Sequence, residues 1–236
     1  MHNIKELFFY GGIDAESYAT IRGFVEEENK KSLRMYVALC SFLFLVLFVG
    51  SFFSSFSYIN RAIYLFMFII TTVIHLILMK TKVNKITPLE DIFIFVMYGF
   101  GIFLSANNPS KPTISYIVLL VLVPLVFTDV PFRIISGMLF SILAYTVVAV
   151  FALPKDMLMF NFYNIIAYSF LSAIISTYLS KVKMERMLLL YRNKQLIEYD
   201  QMTGLFNRAS YDKAVNHIKN TEKAYLKIVS MDINGL

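Results

Sequence analysis

The chain has 236 residues, of which 58% are hydrophobic and only 16% charged, with a mean hydropathy of +0.63. A soluble domain carries about 25% charged residues, so the composition excludes an ordinary soluble fold and points to a membrane protein. The formal charge of +6 gathers near the ends of apolar runs, where it marks membrane topology and not affinity for nucleic acid.

Residues 1–32 are net acidic and carry Glu26-Glu27-Glu28, and the first long apolar run begins only at Leu33. That order is wrong for a secretory signal, which needs a short basic region ahead of its apolar core. Tyr18, Ile21 and Val25 recur at helical spacing. Residues 1–32 are therefore expected to be a cytoplasmic segment whose helix feeds the first span.

Residues 33–180 hold six apolar stretches: Leu33–Phe53, Ala62–Met79, Leu89–Ala106, Thr113–Phe127, Phe132–Leu153 and Phe162–Ser180. About 20 helical residues cross a hydrocarbon core of about 30 Å, so the third and fourth are short and need flanking residues or local thinning. The reading is a six-span transmembrane helical bundle, with five spans as the alternative. Thr87-Pro88-Leu89-Glu90 has the pattern of a capping box, and the prolines of Asn107–Pro112 and of Asp129-Val130-Pro131 stop the preceding helices. Pro124 removes a backbone donor inside the fourth stretch and is expected to kink it.

Charge orients the bundle. Lys30, Lys31, Arg34, Lys80, Lys82, Lys85, Arg133, Lys181, Lys183 and Arg186 fall at one set of ends, against Arg61, Lys111 and Lys155 at the other. The positive-inside rule puts both termini in the cytoplasm. Within the spans His75 is the titratable residue farthest from an end, a haem-binding or proton-sensing candidate whose plainer reading is a hydrogen-bonded or interfacial histidine. Glu90, Asp91 and Asp129 lie at span ends and are expected to cap helices or face water. The lone Cys40 has no partner in the chain, which leaves neither a disulfide nor a cysteine metal site.

Residues 181–199 read as a juxtamembrane signalling helix, or stalk, continuing the last span. Val182, Leu189 and Leu196 repeat every seven residues, with Leu190 and Ile197 beside them, in the manner of a short coiled coil. A polar turn follows, then a helix from Asn207 as N-cap with Tyr211, Ala214, Val215 and Ile218 on its apolar face. A buried-type strand over Ala224–Met231 runs into Asp232-Ile233-Asn234-Gly235-Leu236. Taken alone, an Asp-x-Asn-Gly run after a strand is usually a turn.

Asp200-Gln201-Met202-Thr203-Gly204-Leu205-Phe206-Asn207-Arg208, followed at the right spacing by Lys227–Asp232, resembles the opening of a GGDEF domain, the diguanylate cyclase family. The resemblance covers residues 200–236 and implies the first helix and strand of an α/β, nucleotidyl-cyclase-like domain. It implies that Asp232, through its carboxylate, and Ile233, through its carbonyl, bind Mg²⁺ or Mn²⁺, while Gly235 and Leu236 lie against GTP phosphates. Asp200, Thr203, Gly204, Asn207 and Arg208 would be structural and coupling residues of the opening turn. Asn234 and Leu236 depart from the family's usual Asp and Phe. The GG(D/E)EF hairpin would lie tens of residues beyond Leu236, so residues 1–236 are expected to lack a complete active site.

The implied activity joins two GTP into cyclic di-GMP with release of pyrophosphate, in a homodimer on the bacterial cytoplasmic membrane under control of an unknown sensory ligand. Two rivals stand beside it. One is a degenerate GGDEF module that binds nucleotide without turnover; the other is a transporter with a regulatory tail.

Overall fold

The computed structural model describes residues 4–53, 58–80 and 86–200, together with Thr203, Leu205, Asn207, Arg208, Ser210, Tyr211, Asp212 and Val215. Seven α-helices make up nearly all of it: α1 (Ile4–Tyr10), α2 (Ala15–Gly50), α3 (Tyr58–Lys80), α4 (Thr87–Asn107), α5 (Ile114–Val126), α6 (Pro131–Ala152) and α7 (Lys155–Glu198). The chain is thus mainly α, as expected. It divides into two units, residues 1–188 and residues 189–236.

The expected N-terminal helix and first span are one element. α2 has 36 residues and is about 54 Å long, nearly twice the thickness of a hydrocarbon core. Asp14 caps it by accepting from the Ser17 N–H at 2.8 Å. The last span and the stalk are likewise one 44-residue helix, α7, about 66 Å long. Among the described residues five helical segments are long and apolar enough to cross a membrane: the one containing α2, then α3, α4, α6 and α7. The fourth predicted span appears as α5, with 13 residues and about 20 Å of helix.

Polar contacts collect at two opposite ends of unit 1. At one end Asn107 Nδ2 donates to Asn60 Oδ1 at 2.6 Å, and Thr113 N–H donates to Asn161 Oδ1 at 3.2 Å. There too the hydroxyls of Ser105, Thr113 and Tyr145 bond one another, Ser105 to Thr113 at 2.5 Å and Thr113 to Tyr145 at 3.0 Å. At the other end the Arg34 guanidinium donates to the Leu78 carbonyl at 2.8 Å, and Asn29 meets Thr128. The elements α2 to α7 run alternately between these ends. α5 is shorter than its neighbours, and past its C-terminal end Phe127 and Val130 are extended.

The core is apolar between the ends. Leu33, Val37 and Phe44 of α2 meet Met67, Ile74 and Leu78 of α3, while Tyr116 and Leu120 of α5 pack with Tyr98 of α4 and Tyr145 of α6. Gly101 allows α4 and α5 to approach closely, since a Cβ there would stand 3.0 Å from the Tyr116 Cα.

α7 turns a polar stripe inward, made of Asn161, Ser172, Ser176 and Ser180, all buried. Its purpose is clearest at Pro124. Proline has no N–H to offer the carbonyl four residues back, which belongs to Leu120. Ser172 Oγ donates to that carbonyl at 3.1 Å, so a neighbouring helix replaces the missing bond. Ser180 bonds the Asp129 carbonyl, and Lys183 Nζ donates to Leu125 O at 2.6 Å and Phe127 O at 3.2 Å. The end of α5 is therefore closed by α7.

The expected capping box of α4 does not form. The N-cap is Ile86, Thr87 is already helical and no side chain caps the helix. Glu90 is buried and faces Arg133 of α6, an ionic attraction that a bond back to the N-cap amide does not match.

Candidate functional site

The expected stalk is helical to Glu198, with its apolar repeat open to the surroundings: Leu189, Leu190, Leu196 and Ile197 are all exposed. Beyond it the opening turn is held by side chains that bond to the backbone. The Asp200 carboxylate accepts from the Thr203 N–H and hydroxyl, both at 2.9 Å, and the Asp200 N–H donates to Leu205 O at 2.8 Å. The carboxylate reaches the N–H three residues on, the span of a capping aspartate.

Asn207 joins two helix ends. Its Oδ1 accepts from the Ser210 N–H at 3.0 Å, the bond expected of an N-cap, and Arg208, Ser210, Tyr211, Asp212 and Val215 are helical after it. Its own N–H donates to Glu198 O at 3.0 Å, and its Nδ2 donates to Ile197 O. One asparagine thus caps the start of one helix and the exposed carbonyls at the end of another. Thr203 and Arg208 are exposed. Gly204, the predicted strand at Ala224–Met231, and Asp232, Ile233, Asn234, Gly235 and Leu236 lie outside the described residues.

A second group of polar side chains was not expected from the sequence. Arg133, in the first turn of α6, stands 2.6 Å from Asp129, 2.5 Å from Asp91 and 3.8 Å from Glu90. Glu90 therefore neither caps its helix nor faces water, in contrast to the sequence expectation; Asp129 accepts from the Val130 N–H at 2.8 Å at the head of α6, and both it and Asp91 are partly exposed. Burial pushes the Asp129 carboxyl above the usual carboxylate range, outweighing the Arg133 guanidinium that holds it down. Beside this group Asn29 of α2 makes a reciprocal pair with the backbone of Thr128: Nδ2 donates to the carbonyl, and Oδ1 accepts from the N–H, each at 3.0 Å.

The N-terminal turn meets α7 at the start of the stalk segment. Gly11 and Gly12 have φ of +65° and +88°, conformations that favour glycine. A Cβ on Gly11 would stand 2.5 Å from Met184 Cγ, and one on Gly12 2.8 Å from Lys181 Cγ.

At the opposite end a polar cavity of about 240 Å³ is lined by Asn60, Tyr64, Ser105, Lys111, Thr113 and Tyr116. His75 is half-buried in α3, and its Nδ1 has no hydrogen-bond partner, which leaves the hydrogen-bonded reading unfulfilled at that atom. Among the described residues no group of three His, Cys, Asp or Glu side chains is arranged to hold a metal ion. Comparison with known proteins finds no matching family model, no matching curated protein and no matching solved structure.

Proposed function

We propose that the chain is the membrane-sensing region and domain opening of a bacterial diguanylate cyclase. The observation that carries the reading is the turn at Asp200–Asn207. The residues that resemble the GGDEF opening are the ones that tie the end of α7 to the next helix, through the Asp200–Thr203 bonds and the double cap by Asn207. A rigid joint at that position suits a protein that passes a change in a helix on to a catalytic domain.

In this reading the six elements α2 to α7 each cross the cytoplasmic membrane, with both termini in the cytoplasm where GTP is available. The alternation between two polar ends and the bias of Lys and Arg toward one of them support it. The exposed Leu189, Leu190, Leu196 and Ile197 offer an apolar seam for a second copy, which the reaction needs because each domain presents one GTP. The polar cavity beside Lys111 is the candidate pocket for the sensed ligand. Mg²⁺ or Mn²⁺ at Asp232 and Ile233 would stabilise charge on the transferred phosphate. Transport is disfavoured because, among the described residues, the buried Glu90 and the partly buried Asp129 and Arg133 gather at one end of the bundle and do not line a path through it.

The test uses the full-length gene product with GTP and Mg²⁺, and reads cyclic di-GMP by mass spectrometry. Asp232→Ala should lower turnover by orders of magnitude, because removing a ligand to the metal forfeits several kcal/mol of transition-state stabilisation. Asp232→Asn should be nearly as damaging, since a neutral amide is a poor ligand for a hard cation. Asn234→Asp should remain active. Near-normal turnover by Asp232→Ala would sink the metal assignment, and nucleotide binding without product would favour the degenerate module.

A further inference from the structure

A cavity of about 190 Å³ lies between α2, α4, α6 and α7 at the Asn29 end of the bundle, with Tyr18, Arg22, Thr87, Glu90, Asp129 and Arg133 in its wall. Its charges do not balance. Glu90 is only 1% exposed, its Oε2 is 3.8 Å from Arg133, and its Oε1 has no hydrogen-bond partner. The single positive charge of Arg133 is already held more closely by Asp129 and Asp91, at 2.6 and 2.5 Å.

Among the described residues Arg22, Lys181 and Lys183, the further cations near this cavity, are engaged elsewhere. Arg22 is largely exposed and pairs with Glu26 at 3.5 Å, and Lys181 pairs with Glu185 at 3.8 Å. Lys183 donates to the carbonyls of Leu125 and Phe127. Asp91 is partly in solvent and needs no further partner. Among the described residues Glu90 is left with a share in Arg133, which lies nearer to two other carboxylates, as its counter-charge, and a buried charge is tolerated only when it is paired or neutralised.

We propose that this cavity binds one small monovalent cation, a proton or an alkali metal ion, against Oε1 of Glu90. Both occupants supply the one positive charge that the group lacks. The hydroxyls of Tyr18 and Thr87 in the same wall offer further oxygen ligands. A divalent ion would need several carboxylates or a full oxygen cage, and Asp91 and Asp129 are turned to Arg133. A drug-sized ligand needs about 300 Å³ or more, whereas this space suits an ion with a few waters at about 30 Å³ each. Met184, against which the Gly11 turn packs, lines the same cavity, so the bound charge sits where the N-terminal segment meets α7. The proposal stands apart from the cyclase reading and does not require it.

The experiment measures the thermal midpoint of the purified full chain in detergent by circular dichroism. At pH 8 in choline chloride, addition of NaCl or KCl should raise the midpoint by several degrees if the occupant is an alkali ion. If it is a proton, the salts should have no specific effect, and lowering the pH to 6 in choline chloride should give the rise instead. Glu90→Gln, which keeps the shape and removes the charge, should abolish whichever response the wild type shows. Should that variant fail to fold, the carboxyl infrared band of the wild-type protein reports proton release or metal-dependent shift directly. A wild-type midpoint and infrared spectrum indifferent to both pH and salt would overturn the proposal, as would a response unchanged in Glu90→Gln; in either case the cavity holds water only.

Discussion

Replacing Asn29 with alanine tests the packing where α2 meets the α5–α6 connection. Asn29 is 5% exposed, and its amide supplies both the donor and the acceptor for the backbone of Thr128, itself 7% exposed. Truncation leaves one buried N–H and one buried carbonyl without that partner, at about 1–3 kcal/mol each. Side-chain hydrogen bonds measured within membrane proteins average nearer 0.6 kcal/mol. Two bonds at that lower figure give about 1.2 kcal/mol, and two fully orphaned groups give up to about 6 kcal/mol; a loss of about 2–4 kcal/mol is expected. The assay is unfolding in detergent followed by far-ultraviolet circular dichroism. Asn29→Asp sharpens it, because aspartate still accepts from the Thr128 N–H but loses the donor and adds a carboxylate to the wall shared with Glu90 and Asp129. It should be less stable than Asn29→Ala at neutral pH and recover as the solution is acidified. An Asn29→Ala protein within about 0.5 kcal/mol of wild type, the range of ordinary surface changes, would refute the claim that this pair holds the α5–α6 connection.

A reporter fused after Leu236 should be cytoplasmic, and reporters inserted at Asn108 or Lys155 should be outside; an external signal from the C-terminal fusion would end the six-pass arrangement. Gly11→Ala should destabilise by about 1–2 kcal/mol for its positive φ alone, with a further cost from Met184 Cγ at 2.5 Å. Gly23→Ala, in a helix with nothing within 4 Å, should be neutral or stabilising by up to about 1 kcal/mol in the same melting assay. Asn207→Ala should loosen the end of α7, increasing amide exchange at Ser210 and near Ile197, with a loss of about 1–2 kcal/mol; unchanged exchange would show that the cap is dispensable.

Local patterns in the chain anticipate most of the helices. The apolar runs fall on α2 to α7, the spacing of Tyr18, Ile21 and Val25 foretells the continuous start of α2, and Asn207 caps as its type and position suggest. Misreadings arise where a distant residue outbids a local one. Thr87 and Glu90 have the form of a capping box, yet Arg133 lies in space beside Glu90, and no pattern within α4 reveals that. Asp129 and Arg133 are four apart and form a pair readable in sequence, though their link to α4 is not. Ser172, Ser176 and Ser180 recur every four residues in an apolar helix, a spacing that signals close packing between membrane helices. What the spacing omits is which carbonyls await them, because that depends on how α5 and α7 meet.

The dependence of α5 on α7 has a consequence for the order of assembly. The carbonyls of Leu120, Leu125, Phe127 and Asp129 find their donors in Ser172, Lys183 and Ser180, between 51 and 58 residues further along the chain. While the chain is being synthesised, α5 leaves the ribosome before any of these donors exists. A 13-residue helix with a proline and unmet acceptors is a poor passenger for bare lipid. It should therefore wait in the translocon, or at the membrane surface, until α7 arrives, so that α5 and α7 settle into place as one event.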